Sequence, residues 1–161
     1  MVKIYRSGAI GALLDEYERA ITELKLVVAD ITDADLIKIV DPHTASEDCR
    51  SVQTVLAHVV SSGYGYATSI HNLKGHNLAR PEKRLRPTIK AYMDDLDSVF
   101  TFTESVFSEI KDNELEQYDP ALKINSRWGQ QYDIDQMTEH AIVHILRHRR
   151  QIEKFKLLLR D

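Results

Sequence analysis

Four long stretches of this chain carry apolar residues at three- and four-residue steps with no proline inside them, and that pattern leaves few folds open. Proline occurs only at positions 42, 81, 87 and 120 of the 161 residues, and there are six glycines. A proline inside a helix removes an amide donor and clashes with the preceding turn, so segments that avoid it are free to be long helices. In the first, about Ala9 to Asp30, Ile10, Leu13, Leu14, Tyr17, Ile21, Leu24 and Val28 recur with the period of an amphipathic helix. The second runs from about Ser51, a candidate cap, to Asn72, with Val52, Val55, Leu56, Val59, Tyr66 and Ile70 as its stripe. The third, about Thr88 to Lys111, carries Met93, Leu96, Val99, Phe100, Phe107 and Ile110. The fourth runs from about Asp135 to Leu159.

The intervening segments read differently. Asp33 to Leu36 is a short acidic piece with the look of one helical turn, and Asp41 to Asp48 reads as a loop. A basic loop holds Gly75, Pro81 and Pro87. The long connection from Asp112 to Asp133 contains Pro120, Trp128 and Gly129, and alternation in Leu122 to Trp128 leaves a short extended piece open. A connection of that length is more often functional or a crossover than idle. Four amphipathic helices with long second and last connections imply an all-α four-helix bundle, one domain over residues 1–161. Gly63 and Gly65 fall inside the second helix. Each costs about 1 kcal/mol relative to alanine there, so they imply close approach by another group.

Composition excludes several classes. A formal net charge of −4 makes the chain a poor general binder of nucleic acid or anionic membrane, both of which need a concentrated positive field. No stretch nears the roughly 20 apolar residues that span a bilayer. No signal-type apolar core follows Lys3 and Arg6, because Asp15, Glu16 and Glu18 arrive too early. The single cysteine, Cys49, allows no intrachain disulfide and points to a reducing compartment. The expected location is the cytoplasm. No phosphate-cradling glycine loop or dinucleotide fingerprint is present.

The chemistry is concentrated in the last helix, MTEHAIVHILRHRRQIEKF from Met137 to Phe155. His140, His144 and His148 are spaced four and four. A step of four advances a helix face by only about 40°, so the three imidazoles share one stripe. His148 falls at the centre of the apolar stripe formed by Met137, Ala141, Ile145, Ile152, Phe155 and Leu159, with His144 and His140 at its edge. A buried imidazole without a partner costs on the order of 1–3 kcal/mol. One metal ion satisfies several at once, and two histidines four apart can offer nitrogens to the same ion. The competing readings are core histidines bonded to carbonyls or carboxylates, and a pH-sensing cluster.

A further ligand must come from another helix. Of His43, His58, His71 and His76, only His58 lies well inside a helix, at the border of a core stripe, and the small residues Ser61, Ser62, Gly63 and Gly65 follow it. Glu139, His140, Gln151 and Tyr66 are candidates to support the ligands. Trp128 and Tyr132 are either pocket walls or core plugs. Nothing beside Cys49 marks it as an activated nucleophile.

Two pieces of this sequence, Leu56-Ala57-His58-Val59-Val60 and His144-Ile145-Leu146-Arg147-His148-Arg149-Arg150-Gln151-Ile152, resemble the DinB-like (DinB/YfiT) family. Helix order and length extend the resemblance over nearly the whole chain. It implies a four-helix bundle that holds a divalent metal, nickel or zinc, with His58, His144 and His148. His140 matches an additional histidine of that family which is not a usual ligand. Arg150 stands where the family often has glycine, on the side of the helix away from the stripe. The resemblance also implies a homodimer. Its enzymes include thiol-S-transferases that use low-molecular-weight thiols. Three nitrogen ligands leave a coordination position open, as catalytic zinc sites do. The expected function is therefore a metal-dependent transferase or hydrolase acting through a metal-bound thiolate or water, with a small thiol or electrophile as substrate. The alternative is a non-enzymatic stress-related or interaction protein whose histidine site is structural or vestigial.

Overall fold

The computed structural model describes residues 4–160, so Lys3, on which the reading of the first residues partly rests, lies outside the described part. Four long helices form the bundle: α1 (Gly8–Val28), α3 (Val52–Leu73), α4 (Ile89–Phe107) and α5 (Ile134–Leu159). The acidic piece is the one-turn helix α2 (Asp33–Leu36). The last connection holds a two-stranded antiparallel ribbon, β1 (Ile124–Asn125) and β2 (Gln131–Tyr132), paired Ile124 to Tyr132. The open question over Leu122 to Trp128 is thus answered by a strand of two residues.

Local signals explain most boundaries. Ser51 caps α3, accepting from the Thr54 amide while the Thr54 hydroxyl accepts from the Ser51 amide. Asp133 and Gln136 make the same reciprocal pair at the start of α5, so the cap is Asp133, and Asp135 lies in the first turn. Other ends are capped from elsewhere in the chain. Ser7 gives α1 no side-chain cap; the Asp112 carboxylate accepts from the Ala9 and Ile10 amides instead, at 3.0 Å each. Asp33 accepts from the Ile89 amide at the start of α4, where Thr88 also caps locally by accepting from the Ala91 amide. The third helix ends at Phe107, short of Lys111. Its last carbonyls bond three residues on, as from the Ile110 amide to the Phe107 oxygen, and the chain then turns to bring Asp112 to α1.

Packing order places the site. α3 packs on both α4 and α5, and α1 packs on both α5 and α4, so the ring runs α1, α4, α3, α5. The pairs joined by the longest connections, α1 with α3 and α4 with α5, are diagonal to one another, which is why those connections must cross an end of the bundle. The interior is filled by Leu24, Val28, Val55, Leu56, Tyr92, Leu96 and Ile152, among others, all fully buried. Gly63 explains itself in this packing. A Cβ there would lie 2.9 Å from a Val99 methyl and 3.2 Å from the Tyr17 hydroxyl, so the glycine lets α3 close on its neighbours. None of the helices among the described residues is long and apolar enough to cross a membrane.

Candidate metal centre

The adjacency of α3 and α5 turns a stripe on one helix into a three-dimensional cluster. His58 sits near the start of α3, among the buried Val55, Leu56 and Val59. His144 and His148 face it from the middle of α5. His58 Nε2 lies 2.9 Å from His144 Nε2. One ligand atom from each of His58, His144 and His148 lies within 4.8 Å of the others. His148 is buried, while His58 and His144 are half-buried.

The outer faces of two of the three rings are held. His58 Nδ1 faces Asp48 Oδ2 at 3.2 Å, and Lys83 pairs with the other oxygen of that carboxylate. His148 Nδ1 faces Gln151 Oε1 at 2.8 Å, and the Cys49 thiol points to the same oxygen at 3.9 Å. Both acceptors draw the ring proton to Nδ1 and leave the Nε2 lone pair directed inward, the arrangement that supports metal-ligating histidines. The donor set therefore fits a divalent ion. Nitrogens bound tetrahedrally at roughly 2.0–2.1 Å sit about 3.3 Å apart, close to the 2.9 Å between His58 and His144 and inside the 4.8 Å that contains all three. Without a cation, one of the two facing Nε2 atoms must keep its proton.

Electrostatics keeps the rings neutral and ready to ligate. Burial, followed by the proximity of His148, His58 and His140, pushes His144 down to about 3. Burial also lowers His58 and His148, against the opposing pull of Asp48 on the first and the Gln151 hydrogen bond on the second. Asp48 itself resists burial: Lys83 and His58 hold its carboxyl below the usual value.

These shifts have a consequence for the metal-free protein. A histidine whose folded pKa is depressed is fully stabilising above its unfolded value of about 6.5, and that stability drains away as pH falls toward the folded value. His144 alone should cost about 2 kcal/mol between pH 7.5 and pH 5, with His58, His140 and His148 acting in the same direction. Urea unfolding of chelator-treated protein across that range should show the midpoint falling. A flat profile would mean that the rings are not buried as neutral species.

The other candidate residues divide. His140 stands outside the trio, stacked on Trp128 with ring centroids 4.8 Å apart. Tyr66 sets its edge against both His140 and His144. Trp128 is a wall, 47% exposed and lining the pocket, whereas Tyr132 is partly buried against the core and meets the Trp128 ring edge to face. A pocket of about 610 Å³ opens here, lined by His58, Tyr66, Arg80, Arg127, Trp128 and His140, among others. Glu139 is exposed and serves none of the three ligands. His71 and His76 come together with Glu109, stacked in parallel at 3.7 Å. His71 is thirteen residues along α3 from His58, roughly 20 Å, so neither ring serves this centre. The residues that sequence reasoning missed are Asp48, Lys83 and Arg80. Asp48 lies in the polar run before α3, and no spacing rule links a loop acid to a histidine ten residues on.

No protein-family model and no curated protein matches this sequence. A solved structure of a conserved protein from Enterococcus faecalis is similar over 96% of this chain and 98% of that one, with a TM-score of 0.67 and 14% sequence identity. At that identity the likeness establishes the fold alone: the helical bundle is one that another protein adopts over its whole length.

Proposed function

We propose that this protein is a metal-dependent enzyme of DinB-like type. In this reading His58, His144 and His148 hold nickel or zinc, and the reaction is thiol-S-transfer or hydrolysis. The observation that carries the reading is the convergence of three imidazole nitrogens within 4.8 Å beside an open pocket of about 610 Å³. A purely structural site would be closed by a fourth protein ligand. Among the described residues the trio has no such fourth member. When bound, the ion would supply a positive charge that lowers the pKa of a thiol or water, making the nucleophilic anion accessible near neutral pH.

The chain's own residues account for the rest. Asp48 and Gln151 fix the ring tautomers of His58 and His148. Tyr66, His140 and Trp128 form an aromatic wall that shields one side of the centre and offers flat surfaces to a substrate. Trp128 is held in place by its indole N–H, which donates to Gln130 Oε1 at 2.9 Å, and the Tyr132 hydroxyl bonds the same oxygen.

The test is elemental analysis of protein purified without an affinity tag, beside a His58→Ala/His144→Ala double variant. About one transition-metal ion per chain, lost in the variant, is the expected result. The loaded protein should then transfer a low-molecular-weight thiol to an electrophile or hydrolyse a small ester. Wild-type protein that takes up no metal even on reconstitution would end the reading. Metal uptake without turnover over a broad panel would favour a structural site in an interaction protein.

A further inference from the structure

Among the described residues the other half-buried arginines are all paired, Arg50 with Glu47 among them. Arg6 binds Asp15, Glu18 and Glu104, Arg86 binds Asp95, and Arg149 binds Glu23. Arg80 is different. It is half-buried, yet no carboxylate of the described residues lies within ion-pair distance of it. Asp48 acts on it only from afar, being held by Lys83 and His58. Its hydrogen bond is a single one, from Nη2 to the hydroxyl of the buried Ser61 at 2.6 Å.

Its placement is nonetheless well defined. A Cβ at Gly65 would meet Arg80 Nη1, Cζ and Nε at 3.0, 3.1 and 3.2 Å. Three nearly equal distances mean that the guanidinium lies flat against α3 at the glycine. Alanine would intrude on that plane, which explains a residue that costs the helix about 1 kcal/mol. With one Nη2 hydrogen on Ser61, the donors at Nη1 and Nε have no acceptor among the described residues, and the second Nη2 hydrogen is left to complete a bidentate pair with one of them. Arg127, on the turn between β1 and β2, lines the same pocket, is exposed, and has no ionic partner among the described residues. Burial and the neighbouring Arg127 both lower the affinity of Arg80 for its proton, the signature of a cation lacking a counterion.

We infer that Arg80, backed by Arg127, is an anion-recognition subsite beside the three-histidine centre, and that the substrate is a small thiol or electrophile bearing a carboxylate or phosphate group. The inference rests on the catalytic reading of the histidines for the words thiol and electrophile, and on Arg80 itself for the anion. A planar guanidinium with free donors matches either oxyanion in a bidentate way, and an ammonium would not. The geometry of the pocket divides the labour. The anionic end is taken by the arginines, the flat or apolar part lies along Trp128 and Tyr66, and the reacting end reaches His58, the member of the trio that lines the pocket.

Trp128 is the single tryptophan of the chain and lines this pocket, so its fluorescence reports occupancy directly. Metal-free full-length protein is titrated with glutarate, with inorganic phosphate, and with uncharged glutaramide. Glutarate or phosphate should give a saturable change that glutaramide does not. Whichever of the two saturates first names the preferred anion. Binding should weaken at least about tenfold in Arg80→Met and less in Arg80→Lys, with thermal unfolding of both variants checked against wild type. Arg127→Met should weaken it more modestly and tests the subsite without disturbing the Ser61 bond. Equal responses to glutarate and glutaramide, or undiminished binding in both methionine variants, would overturn the inference. In a separate arm, cobalt(II)-loaded protein is titrated with 3-mercaptopropionate and 2-mercaptoethanol. Ligation of neither thiol would count against the proposed function while the anion titration stands on its own.

Discussion

Replacing His148 by alanine should lower affinity for nickel or zinc by well over 100-fold, whereas Gln151→Ala should lower it by about 10- to 100-fold. The order follows from position. His148 is the most buried of the three proposed ligands and would offer Nε2 inward; Gln151 touches only the outer nitrogen, at 2.8 Å. Asp48→Asn should resemble Gln151→Ala, because an amide can still accept from His58 Nδ1 but brings no charge. Competition against a chromophoric chelator measures all three. If His148→Ala and Gln151→Ala weaken binding equally, or if His140→Ala weakens it as much as His148→Ala, the ligand set is wrong. His140 is stacked on Trp128 and lies outside the trio, so its loss should be felt in the pocket rather than in metal affinity.

Leu96→Ala should destabilise the protein by roughly 2–5 kcal/mol, the cost of removing a fully buried leucine and leaving part of its volume empty. Leu96 belongs to α4, which packs on α3 and α1 but not appreciably on α5. Metal affinity of the folded variant should stay within about twofold of wild type, since distant sites act independently. Urea unfolding of the metal-free protein and the chelator competition together separate the two effects. A drop below about 1 kcal/mol would mean that the bundle core can collapse around the missing side chain. A large loss of metal affinity would mean that α4 governs the spacing of α3 and α5 more directly than its contacts imply.

Much of this molecule was readable in one dimension. The three- and four-residue recurrence of Leu13, Tyr17, Ile21, Leu24 and Val28 fixes both a helix and its inward face, because side-chain direction repeats with helix geometry alone. The same geometry places His144 and His148 one turn apart on α5, and their setting in an apolar stripe shows that they point inward before any partner is known. Ser51 was legible as a cap from its residue type, while the reciprocal bond to Thr54 appears only in the structure. His58 was singled out because, unlike His43, His71 and His76, it lies well inside a helix at the border of a core stripe, and because the family resemblance matches it.

What resisted reading depends on contacts between residues far apart in the chain. Asp112 caps α1 across more than a hundred residues, and no local propensity in α1 signals it. The stop at Phe107 follows from the same contact. Lys83 and Arg80 come from a loop whose backbone has no repeating period, and Asp48 from a single 3-10 turn too short to carry one, so their side-chain directions are set by where the long helices hold these connections. Gly63 and Gly65 lay between these extremes. Their positions in mid-helix announced a close approach, but only the fold shows that one accommodates the valine of a neighbouring helix and the other a guanidinium. The sequence by itself determined the helices, their buried faces and the histidine stripe, because those depend on a repeat of about 3.6 residues. The tertiary structure decided which helices are neighbours, which loop groups orient the imidazoles and where a pocket opens, because those depend on how diagonal helices are tied together across the ends of the bundle.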